Sequence, residues 1–84
     1  MVDYVITFFT HYDAINCSRK LKKNAIPSKM SPVPRVLSSS CGTCLYFSQE
    51  TSNNNEIIPL IGDEFEQLFQ SHGDCYTLIM DNRG

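Results

Sequence analysis

The stretch Val2-Asp3-Tyr4-Val5-Ile6-Thr7-Phe8-Phe9-Thr10-His11-Tyr12-Asp13 decides how the chain is read. Its first eight residues are rich in Val, Tyr, Ile and Phe, in a nearly unbroken apolar run. That is the pattern of a strand buried on both faces. Thr10 then stands as a helix N-cap, with Asp13 three residues on, a capping box with Asp in place of the usual Glu or Gln. Ala14, Cys17, Ser18, Leu21 and Ala25 follow at helical spacing, while Arg19, Lys20, Lys22 and Lys23 fall mostly elsewhere. Asn24 suits the left-handed C-terminal position and Pro27 forbids continuation, so the spacing predicts a helix from His11 to Asn24.

Downstream, Lys29-Met30-Ser31-Pro32-Val33 reads as a short strand, and Pro32, lacking an N–H, places it at a sheet edge. Pro34 to Gly42 is a loop rich in residues that bond to local backbone. Thr43 to Ser48 returns as a strand. Residues 49–62 read as an insertion or mobile loop: a polar run with three successive Asn, then the apolar patch Ile57-Ile58-Pro59-Leu60-Ile61. Phe65, Leu68 and Phe69 predict a second helix over Glu64 to Ser71, and Cys75 to Met80 the last strand. The expected fold is a single α+β domain over residues 1–84, in the ferredoxin-like order β-α-β-β-α-β. It has a four-stranded antiparallel sheet with both helices on one face. That connectivity brings Thr10-His11, Pro34 to Cys44, and His72 to Cys75 to one end. It leaves strands 29–33 and 75–80 as edges open to pairing with a second copy.

Size and charge narrow the function. A chain of 84 residues builds one thin core, so chemistry belongs at an edge or in a loop rather than in a deep pocket. The net charge is −2 and no basic stripe appears, which argues against a nucleic-acid partner. Arg19, Lys20, Lys22 and Lys23 read as the wet face and C-terminal end of the first helix, where cations suit the dipole. No apolar run approaches the roughly 20 residues of a membrane span. The N-terminus lacks the basic opening of a signal peptide, so a cytoplasmic location with reduced thiols is expected.

Cys17, Cys41, Cys44 and Cys75 are therefore not read as a disulfide framework. Cys41-Gly42-Thr43-Cys44 is a C-x-x-C. A thioredoxin-type dithiol needs its first cysteine at a helix N-terminus, whereas Leu45-Tyr46-Phe47 here is strand-like. Structural zinc needs about four ligands, which Cys17 in a helix and a solitary Cys75 do not supply. No metal or cofactor is expected. A single reactive thiol at Cys41, with Cys44 as resolving partner or buried neighbour, competes with inert packing. Arg35 and His11 are candidates to steady a thiolate. Gly42 would let the backbone approach a ligand, and Ser40 with the surrounding N–H groups would form a donor cluster.

Tyr4-Val5-Ile6-Thr7-Phe8, Thr10-His11, Leu21-Lys22, Ile26-Pro27 and above all Pro32-Val33-Pro34-Arg35-Val36-Leu37-Ser38-Ser39-Ser40-Cys41-Gly42 resemble a family of small bacterial selenium/sulfur carrier-like domains. The Pro-Arg to Cys-Gly block is the specific part. The resemblance implies sulfur or selenium carried as persulfide or perselenide on Cys41, between a donor and an acceptor protein, and not a stand-alone enzyme. Two alternatives stay open: a small C-x-x-C redox protein, and a non-catalytic binding or dimerisation module. The Cys-Pro-x-Pro helix opening of better-understood sulfur relays is replaced here by Thr10-His11-Tyr12-Asp13. Cys44 stands where a plain apolar residue is expected.

Overall fold

The structure is a computed structural model that describes residues 1–50 and 54–83. The described elements run β1 (Val2–Thr7), α1 (His11–Lys23), β2 (Ser28–Pro32), β3 (Thr43–Gln49), α2 (Asn54–Ile61), β4 (Gln67–His72) and β5 (Cys75–Asp81). The strands form one antiparallel sheet in the order β2-β3-β1-β4-β5. The α+β class holds, with five strands rather than four. β2 and β5 are the edges.

β1 is central, and its apolar run is buried on both sides. Tyr4 and Ile6 join one core cluster and Val5 the other. Ala14, Cys17 and Leu21 of α1 and Ile57 and Ile61 of α2 pack into the same cluster as Tyr4, Ile6, Leu45, Phe47 and Leu68, so both helices cover one face. The other face holds a smaller cluster of Val5, Cys44 and Phe69, flanked by Val33, Leu37, Tyr46 and Tyr76.

The Thr10 hydroxyl accepts from the Asp13 N–H at 3.1 Å, as the capping box requires. The far end of α1 differs from expectation. Asn24 has φ −93°, and Ala25 takes the left-handed position at φ 60°. The Ile26 N–H donates to Leu21 O at 2.9 Å and the Ala25 N–H to Lys22 O at 3.0 Å, which is a Schellman ending. Leu21 and Ile26 are both buried in the helix-side core, and that apolar contact selects the register that puts Ala25 rather than Asn24 at the turn.

The second half departs further. Part of the segment read as an insertion, residues 54–61, is helix α2; residues 51–53 lie outside the described residues. Gly62, at φ 78°, ends α2, and a Cβ there would sit 2.6 Å from the Lys20 ammonium. Glu64 to Ser71, expected as a helix, instead leads into β4. Phe65 through Phe69 are all buried, because β4 lies between β1 and β5 and is covered on both faces. Leu68 faces the helices and Phe69 faces away. A bulge between Leu68 and Phe69 adjusts the register against β5. Gly73 and Asp74 then make a two-residue hairpin turn, with φ positive at Gly73 alone.

Candidate functional site

The loop between β2 and β3 rolls over one end of the sheet. Val33 and Leu37 rest on the small cluster of the helix-free face, while Cys41 packs against the helix-side core. The neck is closed by the Val33 N–H donating to Gly42 O at 3.1 Å. Within it, the Leu37 N–H donates to Pro34 O at 3.0 Å, and the Gly42 N–H to Ser39 O at 3.4 Å. Gly42 has φ 73° and open space around it, so the backbone conformation and not crowding calls for glycine.

Side chains tie this loop to three other segments. The Ser39 hydroxyl donates to Phe8 O, just past β1, at 3.0 Å. Ser40 donates twice to the Glu66 carboxylate, through its N–H to Oε1 at 3.1 Å and through its hydroxyl to Oε2 at 2.6 Å. Thr43 Oγ1 and His11 Nδ1, at the start of α1, are 3.4 Å apart. Cys41, half-buried between these anchors, has Sγ 3.6 Å from Thr43 O and 3.7 Å from Ser39 Oγ. A hydroxyl can turn to donate to an anionic sulfur, and a carbonyl accepts from a thiol, so these neighbours serve both states of the group.

The site residues expected from sequence divide clearly. His11, Ser40, Cys41 and Gly42 come together. Arg35 is exposed, and among the described residues no hydrogen bond or ion pair joins it to Cys41. Cys44 is fully buried on the opposite face, its thiol donating to Pro32 O at 3.6 Å. Burial pushes the Cys44 thiol up, a hydrogen bond with Tyr46 offsets this in part, and the Cys41 thiol adds to the rise. The donor cluster expected over residues 38–42 is already paired at two points: the Ser40 N–H is spent on Glu66 and the Gly42 N–H on Ser39 O.

His72 and Cys75 do not approach Cys41. Thr7 pairs with Cys44 and Gln67, whereas His72 and Cys75 pair with each other at the opposite end of the sheet. Since Glu64 to Ser71 is not a helix, β4 begins rather than ends beside the Cys41 loop. Its entrance brings Glu66, which the sequence reading placed inside a helix. An acid within Phe65-Glu66-Gln67-Leu68-Phe69 carries its own signal: a carboxylate in a strand covered on both faces must be paired. Glu66 is 3% exposed and is paired through Ser40. Among the described residues, no group of three or more His, Cys, Asp or Glu is placed to hold a metal ion, and no helix is long and apolar enough to cross a membrane.

The family model described as "Putative Se/S carrier protein-like" matches residues 3–69. The chain belongs to that selenium/sulfur carrier-like family. The match runs from β1 through the Cys41 loop to the Phe8, His11 and Glu66 segments that touch it. No curated protein and no solved structure matches the chain.

Proposed function

We propose that the chain carries sulfur or selenium on Cys41, as a persulfide or perselenide, between a protein donor and a protein acceptor. One observation carries this reading: within a chain of the carrier-like family, Cys41 is a half-buried, unbridged thiol on a loop anchored to β1, α1 and the entrance of β4. In the transfer, the Cys41 thiolate attacks the terminal sulfur of the donor's persulfide. A Cys41 sulfur–sulfur bond forms, the donor's sulfur–sulfur bond breaks, and the electron pair leaves on the donor thiolate. The transferred sulfur keeps its proton until handed on. Thiols and persulfides exchange without an external oxidant or reductant. A group carried this way needs a reachable sulfur and a docking rim rather than a closed pocket, which suits so thin a core.

The Ser39 hydroxyl and the Thr43 carbonyl are the groups beside the sulfur, and His11, which meets the separate Thr43 hydroxyl, is assigned to holding the end of the loop. Arg35, on the exposed limb of the loop, is assigned to the docking rim. The two-thiol alternative would require Cys44 to leave the opposite face of the sheet, where it is sealed. We read β4-β1-β3-β2 with the two helices as the ferredoxin-like core and β5 as an added edge strand.

Incubation with a cysteine desulfurase and radiolabelled cysteine tests the proposal. Label is expected on wild type and on Cys44→Ala, and is expected to vanish from Cys41→Ala. A Cys41→Ala protein that still accepts label defeats the reading.

A further inference from the structure

We propose that Glu66 is the positioning residue of the Cys41 site, acting through Ser40 to hold the thiol in its transfer geometry; this rests on the carrier reading for its purpose, though not for its test. Glu66 sits where its strand enters the sheet, 26 residues from Ser40 in sequence. Its own backbone is held on both sides: the Glu66 N–H donates to Thr7 O at 2.8 Å, and Glu66 O accepts from the Asn82 N–H at 2.8 Å. The carboxylate is therefore mounted on backbone tied to both β1 and the segment after β5. Its 3% exposure leaves it little water to bind. The two Ser40 donors are the hydrogen bonds described for it, and they reach separate oxygens.

This matters because Ser40 is otherwise a poor place to hold a loop. It is exposed, adjacent to Cys41, and inside the turn that Ser39 and Gly42 close. The closing bond of that turn is long, at 3.4 Å, and the sulfur's own contacts with Ser39 and Thr43 are weak sulfur–oxygen contacts. The 2.6 Å bond from the Ser40 hydroxyl to a carboxylate is the shortest contact described in the loop. Charge-assisted bonds of this kind are roughly twice as strong as neutral ones. Glu66 thus touches neither the reacting sulfur nor its cargo. It fixes the residue before the sulfur, and its loss lets Cys41 swing out of the orientation a docked donor requires.

The test reads local release of one thiol. Wild type, Glu66→Gln, Ser40→Ala and Ser40→Thr are alkylated with iodoacetamide, and each cysteine is followed by mass spectrometry of its peptide. Glu66→Gln is expected to speed alkylation of Cys41 by roughly tenfold, and Ser40→Ala by about threefold, the scale of losing a charge-assisted hydrogen bond that holds a local opening closed. Ser40→Thr, which keeps the hydroxyl, is expected to restore the wild-type rate. Buried Cys17 and Cys44 are expected to stay protected, and exposed Cys75 to react as before. Sulfur uptake from the charged desulfurase is expected to fall in both accelerated variants.

A Cys41 rate unchanged in Ser40→Ala overturns the proposal. So does acceleration of Cys17 and Cys44 alongside Cys41 in both variants, since that reports general unfolding. If wild type takes no sulfur while the alkylation pattern follows expectation, the carrier reading fails and the positioning role stands.

Discussion

The two faces of the sheet are built on different scales. The helix-covered face buries Tyr4, Ile6, Leu45, Phe47 and Leu68 against Ala14, Cys17, Leu21, Ile57 and Ile61. Among the described residues, the apolar side chains buried on the other face are Val5, Cys44 and Phe69, with buried Thr7 and Gln67 and half-exposed Tyr46 and Tyr76 beside them, and both described helices lie on the opposite side. Phe69 and Tyr76 meet edge to face at 6.5 Å, while Tyr4 and Phe47 stack at 5.2 Å on the helix side. The first face supplies most of the stability. The second acts as a ledge: Val33 and Leu37 rest on it so that Cys41, a few residues later, arrives on the helix side. The Cys41 loop is held by a weakly buried ledge on one side and by polar anchors on the other. That leaves the thiol half-buried between them.

The sharpest way to break this comparison is to remove one leucine from each face. Leu45→Ala, fully buried under the helices, is expected to cost about 3–4 kcal/mol in urea unfolding, and half-buried Leu37→Ala about 1 kcal/mol. Equal losses would mean that the helix-free cluster contributes as much as the main core.

A smaller effect separates the faces by pH. Burial pushes the Cys17 thiol up to about 12, with the nearby Lys20 charge lowering it only in part, and burial likewise pushes the Tyr46 phenol up to about 12. Both groups are acids held in their neutral form by the fold. Their stabilising effect is complete below the pKa of the unfolded chain, and it is lost as pH rises from there through the folded value. Stability is therefore expected to fall from about pH 9 upward, where an unfolded thiol ionises, and more steeply from about pH 10, where an unfolded phenol does. Cys17→Ala is expected to flatten the first part of that decline and Tyr46→Phe the second, read by urea midpoints across a pH series. A decline of unchanged steepness in both variants would remove these two groups as its cause.

The smallest effect tests the end of α1. Ala25 holds φ 60° to let Ile26 fold under Leu21, and glycine adopts that conformation without penalty. Ala25→Gly is expected to raise stability by about 0.5–1 kcal/mol, measured as a higher urea midpoint. A lower midpoint would mean that the Ala25 methyl matters more than the strain.

Local signals carried the first half of the molecule. The apolar run of β1, the Thr10–Asp13 cap and the periodicity of α1 are interactions between residues a few positions apart, so they are legible without the fold. The block from Pro32 to Gly42 likewise marked the family and the loop that bears Cys41. The second half is not legible in the same way, because Phe65, Leu68 and Phe69 satisfy a helical stripe and a strand buried on two faces equally well. Pairing with β1 chooses between them, and that pairing spans some 60 residues of chain, as in the bond between the Gln67 N–H and Thr7 Oγ1, while the hairpin with β5 is local. The same choice reverses which end of the segment meets the Cys41 loop. It replaces His72 and Cys75 with Glu66, and the pleat of β3 sends Cys44 to the far face. Sequence by itself determined which groups are available for chemistry, because composition and short-range pattern are local. Tertiary structure alone decided which of them meet, because that depends on strand direction and register.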